Sequence, residues 1–492
     1  MLRLPVLARN LSRPSKPAGA LLAGRAGFSV ARRAMYANPS PSATAAATSS
    51  NPSLPSLYTF TEEEDMLRDT ARKFSQEMVE PKVREMDEAE KMDPSIIKGL
   101  FEQGFMGIET MAEHEGAECG FTSAIIVIEE LAKVDASVSV VCDVHNTLVN
   151  TVLRNYASKE IKDKYLPQLS TSKLGSFCLS EPASGSDAFA LQTRAVKQDN
   201  GDYVLNGSKM WITNSAEAEI FVVFANVDPS KGYKGITCFL VEKDMGIEIA
   251  KKEKKLGIRA SSTCTINFDD VRVPAANVIG EVGKGYKIAI EILNEGRIGI
   301  GAQLIGIAQG AFEKAVKYAF ERKQFGQAVA TFQGVQMQIA DMATQIEAAR
   351  LMVYNAARLK EEGKPFVKQA AMAKLYCSRV ANEVSRGAIE LCGGVGYTRE
   401  TGVEKYYRDA LIGSVRMASE AQYTALTTLL DPPDLRRNKQ YTKDYNSQIR
   451  SEGDGKIDMP PSASEFRFDA NADFTVSASG IPNQSLIIYA AP

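Results

Sequence analysis

Between about residues 170 and 275 the chain reads in short runs of β-branched and aromatic residues, and on either side of that block it reads at helical spacing. This single change of period, there and back, constrains the fold more than any other feature. Strands gathered in one block rule out a βαβαβ alternation, so a doubly wound parallel sheet is excluded and an α+β architecture is predicted. The β runs are Gly175–Leu179, Tyr203–Leu205, Ile220–Ala225, Ile236–Val241 and Thr263–Phe268, separated by turn pairs such as Asn206-Gly207, Asp228-Pro229 and Lys231-Gly232. The 492-residue chain is too long for one core. It divides into an N-terminal α-helical domain (58–168), a central β-barrel-like domain (169–280) and a C-terminal four-helix bundle (281–430).

Local signals set the helix ends. Thr61 with Glu64 forms a capping-box signature, and the helix it opens is predicted to stop before Pro81. Asp93-Pro94 marks a second start. Helical spacing then covers Ile125–Val134 and Val144 to about Tyr165, and after the β block Tyr286–Gln309, Ala311–Arg322, Phe332–Glu361 and Lys368–Leu391.

The two ends differ from the middle. Arg3, Arg9, Arg13, Lys16, Arg25, Arg32 and Arg33 precede the first acid, Glu62, amid Leu, Ala and Ser; this is the profile of a mitochondrial transit peptide followed by a linker (1–57) and predicts the matrix as destination. After Asp431-Pro432-Pro433 no period survives, and 431–492 reads as a disordered or aberrant tail. A net charge of −2 suggests no nucleic-acid partner, and no apolar run is long enough to span a bilayer. Two histidines and seven scattered cysteines make a His-ligated zinc, a Ser-His triad and a disulfide framework improbable.

Several segments could carry chemistry. Phe177-Cys-Leu-Ser-Glu-Pro-Ala-Ser-Gly-Ser-Asp187 runs a strand into a Ser/Gly turn that offers N–H groups and hydroxyls, although a surface turn reads the same way. In Lys209-Met-Trp-Ile-Thr-Asn214 the only tryptophan neighbours a threonine hydroxyl, which suits a flat ligand; taken alone, a core Trp is the plainer reading. Tyr286, Leu293 and Arg297 share one helix face, able to hold a polar ligand or merely to cap and pair. Arg322-Lys-Gln-Phe-Gly326 sits at a helix end with Gln333 beyond. Glu390-Leu-Cys-Gly-Gly-Val-Gly-Tyr397 is a glycine-rich helix exit without the third glycine or the preceding strand of a dinucleotide fingerprint.

In order and spacing, Leu179-Ser-Glu-Pro182, Trp211-Ile-Thr213, Gln324-Phe-Gly326 and Gly393-Gly-Val-Gly-Tyr397 resemble the successive signatures of the acyl-CoA dehydrogenase family over about residues 58–415, most closely its short/branched-chain branch. The resemblance implies FAD, with Phe177, Leu179, Ser180, Ser186, Trp211, Ile212 and Thr213 around the isoalloxazine and ribityl parts. It implies acyl-CoA contacts from Ser186, Tyr233, Tyr286, Asn294, Glu295, Gly296 and Arg297. Arg322, Gln333, Glu390, Gly393 and Gly394 would reach the FAD of a neighbouring subunit, hence a homotetramer or at least a dimer, and electron transfer flavoprotein is the implied acceptor. The reaction is α,β-dehydrogenation to a trans-2-enoyl-CoA in fatty-acid or isoleucine breakdown. Such chemistry needs a carboxylate to take the α-proton. In the branch that this chain resembles, the base is the glutamate of a Tyr-Glu-Gly motif shortly after Ile-Gly; here Ile412-Gly-Ser-Val-Arg-Met417 puts a methionine there. The alternative position, just before the arginine on the long helix, is Gly296. Glu420 and Glu295 are the nearest carboxylates. A shifted exon boundary would explain both the lost base and the unmatched tail. The other readings are a flavin-binding protein with impaired or no catalysis, and an oxidase of the same fold passing electrons to O₂.

Overall fold

The computed structural model describes residues 59–415. The expected transit peptide and linker, Met417, Glu420 and the 431–492 tail lie outside the described residues.

The capping box forms as read: Glu64 N donates to Thr61 Oγ1 at 3.2 Å and Thr61 N donates to Glu64 Oε2 at 2.9 Å, opening α1 (Glu62–Phe74). The helical path does not stop before Pro81. A π turn (Ser75–Val79) and a 3-10 turn (Glu80–Lys82) carry it into α2 (Val83–Ala89). Pro81 falls at the start of the 3-10 turn, whose own bond, from Val83 N to Glu80 O, does not use the proline nitrogen. Asp93 caps α3 (Pro94–Glu102), its Oδ1 accepting from Ser95 N at 2.8 Å. Helix α4 (Phe121–Ala132) is buried at every residue and forms the centre of this domain. Two further departures follow. Asp135 caps a helix that periodicity missed, α5 (Ala136–Asp143). The stretch expected to run unbroken from Val144 is divided into a π turn (Val144–Asn150), α6 (Thr151–Tyr156) and α7 (Lys159–Thr171), because Ser158 supplies a new N-cap to Ile161.

The central block is one eight-stranded sheet: β1 (Gly175–Cys178), β2 (Arg194–Lys197), β3 (Tyr203–Thr213), β4 (Ile220–Asn226), β5 (Ile236–Glu242), β6 (Glu248–Lys252), β7 (Thr263–Val273) and β8 (Val278–Ile279). The order is β6-β7-β3-β2-β4-β5-β8, with β1 added parallel to β4. Strands β2, β6 and β8 were not read from the sequence. Asn206-Gly207 is no turn but the interior of β3, at a shift of register against β7. Asn206 spends its side chain across the strands, Nδ2 donating to Asp270 Oδ1 at 2.9 Å. Gly207 has φ +147°, and a Cβ there would lie 2.7 Å from Thr193 Cα.

Three long helices follow: α8 (Gly285–Glu321), α9 (Gln333–Glu361) and α10 (Val367–Cys392), then the short α11 (Val403–Ala410) and α12 (Ile412–Val415). The break expected at Gly310 is absent, and α8 runs 37 residues, about 55 Å at ~1.5 Å per residue. Gly306 and Gly310 are there for packing: a Cβ would meet Glu129 O at 2.4 Å and Lys133 O at 2.1 Å, so α8 lies backbone-close to the end of α4. One apolar core joins Ile126 of α4, Leu240 of β5, Ile305 of α8, Val353 of α9 and Val384 of α10. Helix α11 binds all three domains by charge. Lys405 Nζ stands 2.8 Å from Asp135 and 2.6 Å from Asp409, and Asp409 Oδ1 accepts from Ile258 N at 2.6 Å.

Candidate functional site

Three groups of the residues singled out in the sequence come together separately. The first lies where β1 leaves the sheet beside the end of β3. Ser176 Oγ donates to Thr213 O at 2.9 Å and Met210 N donates to Ser180 O at 2.9 Å, so the strand exit that carries Phe177, Leu179 and Ser180 is stitched to the segment that carries Trp211, Ile212 and Thr213. The pairing of β3 with β7 slips between Lys209 and Ile212, and Trp211 sits in the slip at φ +62°. A tryptophan seldom adopts that region, which costs ~1–3 kcal/mol and is found where function holds a residue in place. The bulge turns the indole outward: Trp211 is 56% exposed, and the core reading of this residue is overturned. Ile212 stays inward, fully in the β core. Among the described residues the Ser180 and Thr213 hydroxyls have no hydrogen-bond partner, and Gly185, Ser186 and Asp187 are exposed on the adjoining loop. An open aromatic face bordered by unspent hydroxyls and loop amides fits a flat heteroaromatic group with a polar edge, as an isoalloxazine is.

The second group borders the start of α8. Tyr233 and Tyr286 meet edge to face at 5.0 Å, and Tyr233 is half exposed. Three turns along, Arg297 Nη1 donates to Asn294 Oδ1 at 2.5 Å. Of the face expected to be shared, Tyr286 and Leu293 are half-buried and Arg297 is buried. A Cβ on Gly296 would come 3.0 Å from Leu148 Cδ2, so the π turn of the N-terminal domain packs onto this stretch. Glu295 is buried, 3.3 Å from Lys360 Nζ, and Lys360 also lies 3.1 Å from Glu109 and over the Phe121 ring at 3.9 Å. Arg154 completes the cluster at 2.9 Å from Glu109. Burial pushes the Glu295 carboxyl above its ordinary range, against the pull of Lys360. Burial would do the same to Glu109, but Arg154 and Lys360 together hold it below.

The third group is exposed throughout: Arg322 ends α8, Gln333 begins α9, and Glu390 paired to Arg386 at 2.9 Å precedes Gly393 and Gly394 at the exit of α10. Gly393 has φ +64°, which lets the helix end abruptly. Among the described residues no hydrogen bond or ion pair joins this group to the first.

Sequence reasoning missed Lys209 and Glu181, which form a buried ion pair beneath the first group. The signal was a lysine at an inward strand position, and reading Asn206-Gly207 as a turn ended the strand before it. Among the described residues no three His, Cys, Asp or Glu side chains gather to hold a metal, and no helix is long and apolar enough to cross a membrane.

Comparison with known proteins finds relatives over most of the described residues. Residues 61–173, 176–271 and 283–416 match the N-terminal, middle and C-terminal domains of acyl-CoA dehydrogenase. Over 360 residues the chain is 56% identical to the short/branched chain specific acyl-CoA dehydrogenase, mitochondrial, of Rattus norvegicus, covering 73% of this chain and 83% of that protein. Butyryl-CoA dehydrogenase from Megasphaera elsdenii superposes with a TM-score of 0.75 at 40% identity, over 76% of this chain and all of the other. An acyl-CoA dehydrogenase from Bacillus anthracis, solved with FAD, gives 0.72 at 30% identity, over 78% of this chain and 70% of the other.

Proposed function

Since the chain belongs to the acyl-CoA dehydrogenase family and takes FAD as its cofactor, we propose that it is the branch acting on short or branched-chain acyl-CoA, working in the mitochondrial matrix as a homotetramer that hands electrons to electron transfer flavoprotein. The observation that carries the site reading is the outward indole of Trp211 on its left-handed bulge beside the hydroxyls of Ser180 and Thr213. FAD, when bound, supplies the hydride acceptor that no side chain can replace.

The rest falls to the chain. Phe177, Leu179, Ser180 and Ser186 with Trp211, Ile212 and Thr213 hold the ring system and keep water from its face. Ser186, Tyr233, Tyr286 and the Asn294–Arg297 turn receive the acyl-CoA, and Arg322, Gln333, Glu390, Gly393 and Gly394 reach the cofactor of a neighbouring subunit. The 56% identity to a mitochondrial relative and the Arg-rich, acid-free start of the chain support the matrix as location.

Proton abstraction is the step for which the chain lacks a part. At Met417 a thioether stands where a carboxylate belongs, and it takes up no proton at neutral pH. Glu295 is no ready substitute, because its carboxylate is engaged with Lys360 inside a four-charge cluster. The sequence as it stands therefore binds FAD and thioester but dehydrogenates slowly, by roughly the 10²–10⁴-fold that a positioned base contributes.

The test is anaerobic bleaching of the flavin by 2-methylbutyryl-CoA and butyryl-CoA in the wild type and in Met417→Glu. Slow bleaching that speeds up by at least about 10²-fold in the variant is expected. No gain in Met417→Glu would sink the assignment of that position. Hydrogen peroxide released without an added acceptor would favour the oxidase reading.

A further inference from the structure

The loop that presents Ser186 leaves β1 at Leu179 and rejoins the sheet at Arg194, and its outer residues Pro182, Ala183 and Gly185–Asp187 are exposed. Within the loop, Glu181 and Ser184 exchange backbone hydrogen bonds at 3.0 and 3.1 Å, Ser184 Oγ donates to Asp187 O at 2.7 Å, and Ala190 N donates to Asp187 O at 3.2 Å. What closes the loop is one carboxylate at its neck. Glu181 Oε2 accepts from Gln192 N at 2.6 Å and Oε1 accepts from Thr193 N at 3.1 Å, so a side chain at the first end of the loop grips the backbone of the second. Lys209 Nζ then clamps that carboxylate to the floor, 2.7 Å from Glu181 Oε1, while also donating to Leu179 O at 2.9 Å. The pair is sealed from water, with side-chain exposures of 0% for Lys209 and 3% for Glu181.

We propose that the Lys209–Glu181 pair is a positioning lock: it fixes the 182–192 loop relative to the Trp211 bulge two residues along β3, so that FAD meets a loop already in its receiving shape. This rests on the site reading given above and assigns a task to two residues that touch neither cofactor nor substrate in it. Burying two charges merely to stabilise the sheet is a poor use of them, since apolar residues of similar volume commonly do as well. Tying both loop ends and the bulge to one point is something apolar residues cannot do. A loop left loose would have to be ordered at the moment of binding, and that loss appears in affinity.

Three chains decide the matter: wild type, Lys209→Met, and the double variant Lys209→Met/Glu181→Gln, which removes the stranded buried charge without restoring the clamp. Each is stripped of flavin, followed by hydrogen exchange of its backbone amides, and titrated with FAD by visible absorbance. The expected result is faster exchange in residues 182–192 of both variants, with β4 and β5 exchanging as in wild type. FAD affinity should fall roughly 10- to 100-fold in both. Wild-type affinity with wild-type loop exchange in the double variant would overturn the lock. So would exchange that rises equally in the loop and in β4–β5, because the pair would then be serving the sheet as a whole. A wild-type chain that bound no FAD would bring down the site reading instead, before any variant is considered, and the loop-exchange comparison would still decide whether the clamp orders the loop.

Discussion

His145 is held neutral from both sides of its ring. Gly175 N donates to Nδ1 at 3.1 Å, so the ring proton sits on Nε2 and is given to Leu169 O at 2.8 Å. Burial pushes its pKa down to about 4, because the charged ring would have to sit in a dry site, and this outweighs the backbone of Leu169 and Met106, which favour the proton. The sign follows directly. A folded value below the ordinary 6.5 means that the unfolded chain binds the proton more readily, so this contribution to stability is complete above about pH 6.5 and is lost as pH falls through about 4. The difference is worth about 3 kcal/mol. Denaturant midpoints measured from pH 7 to 4 should decline, and His145→Gln, which cannot ionise, should flatten that part of the profile while costing some stability at pH 7.

At the scale of elements, Gly310 sets two rules against each other. Inside a 37-residue helix, alanine should beat glycine by ~1 kcal/mol. Yet the added methyl would fall 2.1 Å from Lys133 O, a contact that only a shift of α8 away from α4 can relieve. Overpacking of this sort costs ~1–3 kcal/mol, so Gly310→Ala should lower the urea midpoint, not raise it. The same position explains why sequence reading split α8: a glycine kept for a close approach looks like one kept for a turn. Helix starts at Thr61 and Asp93 were legible because the cap and the amides it serves are neighbours in the chain. Asn206-Gly207 misled for the opposite reason, since the partners that keep it extended, Asp270 and Thr193, are remote or on another strand. Strand β2, Arg-Ala-Val-Lys, buries only Ala195 and so shows no alternation to find. Of the site, single residues said little. The order of four motifs said much, and the buried pair beneath them said nothing until β3 was seen to continue past Leu205.

At the scale of the whole molecule, α11 matters beyond its eight residues. Lys405 answers Asp135 at the start of α5 and Asp409 on its own helix, and Asp409 in turn holds Ile258 of the β domain. Replacing Lys405 with methionine would leave two carboxylates buried without their cation, a change that costs ~3–5 kcal/mol. The thermal transition of Lys405→Met should fall by several degrees, whereas a surface change such as Lys98→Met on α3 should leave it in place. One further property belongs to the molecule entire. The chain holds a single tryptophan among 492 residues, and it is the indole turned outward at the proposed flavin edge. All tryptophan emission therefore originates at one point, and a flavin stacked nearby would drain it by energy transfer. The protein carries its own optical gauge of occupancy, needing no dye: the light dims as the site fills and returns when it empties.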